Sequence, residues 1–299
     1  MAPQQGPAGP RRRLGAELRR LRLNADMTLD EVAEKMTCST SKISRLETGK
    51  GIPKLPDVNE LIRIYGVTSD AEQDMLRRLV REGRTQGWWE PITEGVHPER
   101  FVLDAPARFA ALETEAVEVR TFDNTVLLGL LQTERYARAL MRALLPSHSD
   151  SEIELLVQLR MRRARALRRA EAPLRVRAVM DESVLCRLVG GAEVMAQQAE
   201  HLLELGNLPN VSIQVLPFEI GMHRALAGQF TVLRFADELA GDVVHIEGSA
   251  GDTYLEAPSD VDLYTKIFDD VAGVSLSPGD SAELIARYGA RNSARGGGS

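Results

Sequence analysis

Across residues 11–84 apolar positions recur every three or four residues in five bursts, each ended by glycine, proline or a polar break, which predicts five short helices. Leu14, Leu18 and Leu21 share one face of a first helix from about Arg11 to Asn24. Leu29, Val32, Ala33 and Met36 share a face of a second. Its entry is marked by Thr28 with Glu31 three residues on, the spacing at which the two side chains satisfy exposed first-turn N–H groups. After Thr37, Cys38 and Ser39, a third helix from about Thr40 to Glu47 turns Ile43 and Leu46 inward. Thr40, Ser41, Lys42, Ser44 and Arg45 are left outside, and Gly49 supplies the stop. Val58, Leu61, Ile62 and Tyr65 mark a fourth helix, and Met75, Leu76, Leu79 and Val80 a fifth that ends by Gly83.

The second and third helices lie at the spacing of a helix-turn-helix. Short hydroxyls with Lys42 and Arg45 on the free face of a supported helix suit a DNA major groove, where hydroxyls reach base edges and cations reach guanine or phosphate. A plain helical hairpin with a solvated face is the competing reading. The run TLDEVAEKMTCSTSKISRLETG, ending in Gly49, resembles the repressor-type helix-turn-helix of the XRE (lambda-repressor-like) family, except that its turn carries Cys38 and no glycine. The resemblance implies that Arg19 pairs with Glu47 to hold the reading helix. Thr48, Lys50 and Lys54, at and beyond the end of that helix, are candidates for phosphate positioning.

Beyond residue 84 the pattern changes. The adjacent Trp88 and Trp89 open a linker over 85–105. Phe109, Leu112, Ala116 and Val119 read as one helical face over about 106–119, followed by an extended stretch and then a helix over QTERYARALMRALL. Ser151 to Ala170 reads as a long helix with six arginines, expected to pair with acidic neighbours. Residues 174–180, VSIQVLP, FTVLRF, DVVHIEG and TYLEA read as strands, 194–205 as a helix, and 259–272 and 278–288 as closing helices. The fold class expected is an all-α five-helix helix-turn-helix domain over 11–84, followed by a larger mixed α/β (α+β) domain over 106–288. Tails at 1–10 and 289–299 are expected to be disordered or flexible.

Charge sharpens this division. The chain of 299 residues carries a net charge of −6, yet residues 1–87 hold 16 Lys and Arg against 12 Asp and Glu, while the remainder holds 21 against 31. A basic module on an acidic body fits phosphate contact at one end only. No apolar run reaches the roughly 20 residues of a membrane span, and the start has no hydrophobic signal core, so a cytoplasmic, nucleoid-associated protein with no membrane partner is expected. Cys38 and Cys186 form no CxxC pair and are expected as reduced thiols.

The stretch GLLQTERYARAL resembles the C-terminal domain of actinobacterial WhiJ-type regulators, also described as antitoxin-like. So do Met180-Asp181-Glu182 with Leu185, Gly190-Gly191, VSIQVLPFEIGMH, GQFTVLRF and SPGDSAELIARY. This resemblance implies a small protein partner, often encoded next door, that binds the C-terminal domain. Gln132, Thr133 and Tyr136, with His223 and Arg224 in the loop from Phe218 to Gly228, are the candidate partner- or ligand-binding residues. No metal motif, phosphate loop or dinucleotide fingerprint occurs, and EGSAG around Ser249 has Glu247 where a nucleophile elbow needs glycine. His223, His245 and Glu247, with Asp181 and Glu182, are the sole candidate acid–base or metal cluster, and their spacing does not require it. Neither enzyme activity nor a cofactor is expected. The expected function is a sequence-specific DNA-binding regulator of repressor type, acting as a homodimer on a near-palindromic operator. The alternative is an antitoxin-like interaction protein for which DNA binding is autoregulation.

Overall fold

The computed structural model describes residues 8–93, 106–236, 241–248 and 251–296. They fall into two compact units, Met1–Glu90 with Ala107–Glu115 and Phe235–Gly241, and Pro91–Pro106 with Ala116–Arg234 and Asp242–Ser299.

The first unit contains the five expected helices, α1 (Ala8–Asn24), α2 (Leu29–Lys35), α3 (Thr40–Glu47), α4 (Leu55–Ile64) and α5 (Asp70–Glu82). The short α6 (Glu90–Thr93) and α7 (Pro106–Glu115) follow. Leu14, Leu18, Val32, Ile43, Leu61 and Leu76 are almost wholly buried in one core, so the apolar faces read from the periodicity all converge. α1 begins at Ala8, three residues before the expected start.

Helix ends explain how the motif turns without a glycine. Thr28 and Glu31 form the reciprocal capping box at the start of α2. At its end Thr37 takes a left-handed φ of 50°. Its N–H reaches Glu34 O and that of Cys38 reaches Ala33 O, the double bond of a Schellman stop that glycine usually makes. Gly49 closes α3 with a φ of 68°, and a β-carbon there would sit 2.9 Å from Arg12 Cα. Gly15, in the middle of α1, lets that helix touch the end of α3: a β-carbon on it would lie 2.5 Å from Glu47 O and 2.6 Å from Leu46 O.

The second unit is built on a six-stranded sheet of order β3-β2-β1-β4-β5-β6. The strands are β1 (Glu118–Asp123), β2 (Arg175–Asp181), β3 (Val211–Leu216), β4 (Phe230–Arg234), β5 (Val243–Ile246) and β6 (Thr253–Leu255). β1, β2 and β3 run parallel, and β4, β5 and β6 add an antiparallel meander to β1. The helices are α8 (Glu134–Leu144), α9 (Asp150–Ala164), α10 (Ser183–Cys186), α11 (Ala192–Gly206), α12 (Pro258–Val274) and α13 (Pro278–Gly296). Phe268 and Val271 of α12 bury Phe122, Val179, Phe230 and Val244 on one sheet face, while α8 and α9 close a smaller core around Met141, Ile153 and Val157. This is the expected helical domain followed by an α+β domain.

Three expected elements differ. The helix predicted to run to Val119 stops at Glu115, and Val119 lies in β1 opposite Val176 and Leu233. The β-branched Val117 and Val119 favour the strand, and a helical face drawn through Val119 merged two elements. The predicted helix to Ala170 leaves α geometry after Ala164 for a 3-10 turn over Arg165–Arg168. The final helix runs on to Gly296, because Gly289 and Asn292 are buried and a β-carbon at Gly289 would lie 3.0 Å from Ala199 Cβ of α11. Residues 94–105 of the expected linker, with His97, lie outside the described residues, as do residues 1–7 and 297–299 of the tails. Trp89 is buried and meets Trp88 edge-on at 5.8 Å.

Gly15→Ala raises helix propensity by up to about 1 kcal/mol, but its methyl group overlaps two backbone carbonyls that cannot swing aside. A net loss of about 1–2 kcal/mol is expected. It is read as a lower thermal midpoint for the helical unit beside an Ala16→Gly control, and a higher midpoint for Gly15→Ala overturns the close α1–α3 contact.

Candidate nucleic-acid interface

The free face of α3 is held from behind. Arg22, not the expected Arg19, pairs with Glu47: Nε donates to Oε1 at 2.7 Å and Nη2 to Oε2 at 3.0 Å, and Nη1 donates to Met27 O at 2.7 Å. Arg22 lies one turn beyond Leu18 on the buried face of α1, whereas Arg19 is exposed. The fork geometry holds the guanidinium above its ordinary pKa, chiefly through the hydrogen bonds to Glu47. Burial, with Glu47 nearby, pushes the neighbouring Tyr65 phenol well above its usual range.

The candidate readers divide into two groups. Ser41 and Arg45 are exposed and Ser44 is half-buried, and no described residue forms an ion pair with Arg45. Thr40 and Lys42 already have protein partners, since the Thr40 hydroxyl donates to Asp30 Oδ1 at 2.6 Å and Lys42 Nζ meets Asp57 Oδ2 of α4 at 3.0 Å. Thr48 turns its hydroxyl back onto Ser44 O at 2.8 Å, so it serves the helix end. Lys50 and Lys54 are both exposed. Lys54 stands at the N-cap of α4, where no side chain caps the first turn and, Pro56 having no N–H, Leu55 and Asp57 carry the first backbone donors.

The second candidate group fares differently. Gln132, Thr133 and Tyr136 direct their polar groups into the fold. Gln132 is buried, donating to Leu127 O at 2.6 Å and accepting from Arg160 Nη1 at 2.7 Å. Thr133 caps α8, and its N–H donates to Gln198 Oε1 at 2.7 Å. Tyr136 is fully buried, and burial raises its phenol to about 12. His223 faces inward with its ring 5.4 Å from that of Phe122, and Arg224 is tied to Asp270 of α12. What their loop does expose is apolar: Phe218 at 56%, Ile220 at 38%, Met222 at 79% and Leu226 at 55%. These residues stood inside the stretch singled out from the sequence, but attention to polar groups passed over them.

The candidate cluster of His223, His245, Glu247, Asp181 and Glu182 is not assembled. His245 Nε2 lies 3.1 Å from Asp252 Oδ2, Glu247 accepts from Gln229 at 2.9 Å, and Glu182 accepts from Tyr288 at 2.8 Å and from Phe218 N at 3.0 Å. Among the described residues no group of three or more His, Cys, Asp and Glu is placed to hold a metal. Ser249 lies outside them. No helix among them is long and apolar enough to cross a membrane.

One buried acid went unnoticed in the sequence. Asp123, at the carboxyl end of β1, accepts from Thr121 Oγ1 and Leu128 N, each at 2.7 Å. Burial nevertheless outweighs both bonds and raises its carboxyl to about 7. It closes the strand EVRTFD, in which Glu118, Arg120 and Thr121 are polar as well, so its position in the strand gave it no distinction.

Residues 106–287 match the family model described as a domain of unknown function (DUF5753), and residues 13–76 match one described as a helix-turn-helix domain. No curated protein and no solved structure matches the chain.

Between about pH 4 and pH 7 the folded chain holds the Asp123 proton and the unfolded chain does not, so this group's contribution to stability falls as pH rises through that window and levels off above about 7. Asp123→Asn keeps one acceptor for Leu128 N–H. It is expected to remove a slope of up to about 1.4 kcal/mol per pH unit, measured by denaturation across the window; an unchanged slope would assign it to other groups.

Proposed function

This chain belongs to the family of the domain of unknown function DUF5753, with a helix-turn-helix domain in front of it, and on that basis we propose a repressor whose second domain receives a partner. A helix-turn-helix domain implies sequence-specific DNA binding. The observation that carries the reading is the face of α3, where Ser41, Ser44 and Arg45 stand outward on a helix locked from behind by Arg22 and Glu47. Arg45 reads a base edge, Lys42 exchanges Asp57 for a phosphate, and Lys54 with the open N-terminus of α4 positions the backbone. A single reading helix spans few base pairs, which supports a homodimer on a near-palindromic operator.

The partner reading rests on the exposed apolar loop from Phe218 to Leu226. Its Phe218 N–H is anchored on Glu182, and Arg224 is anchored on α12. A cluster of exposed large side chains on an anchored loop suits a protein contact. The resemblance of GLLQTERYARAL and the stretches after it to WhiJ-type, antitoxin-like domains supports a small protein encoded nearby as the occupant. Such a partner changes DNA occupancy only if it binds the free and DNA-bound forms unequally. The second reading, an antitoxin-like protein whose main output is neutralising that partner, draws on the same loop. Neither reading gives the chain a catalytic step.

Operator DNA is obtained by selecting binding sites from random duplexes. Arg45→Ala is expected to weaken it by roughly 1–3 kcal/mol with relaxed base preference, and Lys42→Ala to weaken all sequences evenly with a shallower salt slope. Two unaffected variants would remove α3 as the reader. Genomic occupancy confined to the chain's own promoter would favour the antitoxin-like reading, and many sites the repressor.

Met222→Asp is expected to leave operator binding intact and to abolish co-purification with the product of the adjacent gene. Retained co-purification, with Phe218→Asp equally silent, would clear the loop of that role.

A further inference from the structure

The hairpin of α8 and α9 has an open end. There a cavity of about 390 Å³ is lined by Ile92, Val157 and Met161 with the charged Glu134, Glu154, Arg162 and Arg165. The volume lies within the range of small-molecule sites, about 300–1,000 Å³. Its floor is apolar: Val157 is buried in the α8–α9 core, and Met161 packs against that core from the cavity side.

The charge at the rim is lopsided. Both acids are engaged by one guanidinium, since Arg138 Nη2 lies 2.5 Å from Glu134 Oε1 and 2.9 Å from Glu154 Oε2. Arg165 is then the rim cation with no carboxylate within ion-pair distance among the described residues. Arg165 makes no hydrogen bond or ion pair among the described residues. The arginines were expected to find acidic neighbours, and in the 3-10 turn after α9 neither Arg165 nor Arg168 has a carboxylate within ion-pair distance among the described residues. An unneutralised guanidinium attracts an anion, and the cavity that Arg165 lines offers the place for one.

We propose that this cavity binds an amphiphilic monoanion, with the apolar body on Val157, Met161 and Ile92 and the carboxylate or equivalent anionic group on the fork of Arg165. The site does not depend on the loop at Phe218 or on the DNA-reading face, so its failure leaves the proposed function standing.

The probe is decanoate, titrated into the full chain by calorimetry below its micelle concentration, beside decyltrimethylammonium as the cation of similar length. Decanoate is expected to bind saturably at one site and at least about tenfold tighter than the cation, as a single guanidinium contact of about 1.4 kcal/mol requires. Arg165→Glu is expected to abolish that preference and Met161→Trp to fill the cavity and remove decanoate binding, both with an unchanged far-ultraviolet spectrum. Met222→Asp, in the exposed loop, is expected to bind decanoate as the parent does. Absence of saturable binding, equal affinity for anion and cation, decanoate binding untouched by both cavity variants, or its loss in Met222→Asp would each overturn the assignment.

Discussion

The ion pair of Arg22 with Glu47 is the contact on which the reading face depends. Its side chains are 9% and 5% exposed, so neither charge can be left alone; removing one partner of such a pair costs about 3–5 kcal/mol. Three guanidinium donors are spent in fixed directions, two on the end of α3 and one on Met27 O, the residue before the N-cap of α2. The bond therefore sets the angle of α3 against α1 as well as its distance. Gly15 provides the steric half of the same constraint, bringing the α1 backbone against the Leu46 and Glu47 carbonyls. The direction in which Ser41 and Arg45 point is a consequence of residues on the opposite, packed side of α3.

Buried polar groups play the same part in the second unit. Gln198 Nε2 donates to Leu131 O at 2.7 Å while its Oε1 accepts from Thr133 N, and Gln132 spans Leu127 O and Arg160. These bonds hold the turn between β1 and α8 to α9 and α11. In a low-dielectric interior an unpaired amide is costly, so each glutamine admits few arrangements of its neighbours. The stretch GLLQTERYARAL is thus recognisable as sequence because it is a structural clamp. Gln132 and Thr133 look functional in a one-dimensional reading because they are polar, and the fold uses that polarity for its own hydrogen bonds.

Periodicity made the helices around Leu18, Val32, Ile43, Leu61 and Leu76 legible, alternation did so for β2, and β-rich runs marked β3 to β6, because each is a local property of the chain. Partner choice is not local. Whether Arg19 or Arg22 meets Glu47 depends on where α1 crosses α3, and Gly15, which permits the crossing, carries no periodic signal. His223 was singled out for its chemistry, yet the loop turns it onto Phe122 and leaves Met222 outside. Val119 shows the remaining failure, since a strand beginning two residues after a helix can extend the helix's apolar spacing by coincidence.

The acids of the helical unit bear on specificity. Asp57 holds Lys42 at 3.0 Å and Asp30 holds Thr40, so two of the five polar residues on the free face of α3 are engaged by the protein's own groups. The lysine is 42% exposed, and a pair in that setting is worth only about 0–1 kcal/mol. A phosphate that arrives with good geometry can therefore displace Asp57 at little cost, while one that arrives poorly placed cannot. The carboxylate also repels a backbone that approaches without releasing the lysine. Non-specific affinity, which comes from loosely placed phosphate contacts, is lowered more than specific affinity, in which several contacts form together. On the proposed reading of α3, the internal pairing that withdraws Lys42 from the free face sharpens the discrimination assigned to Arg45.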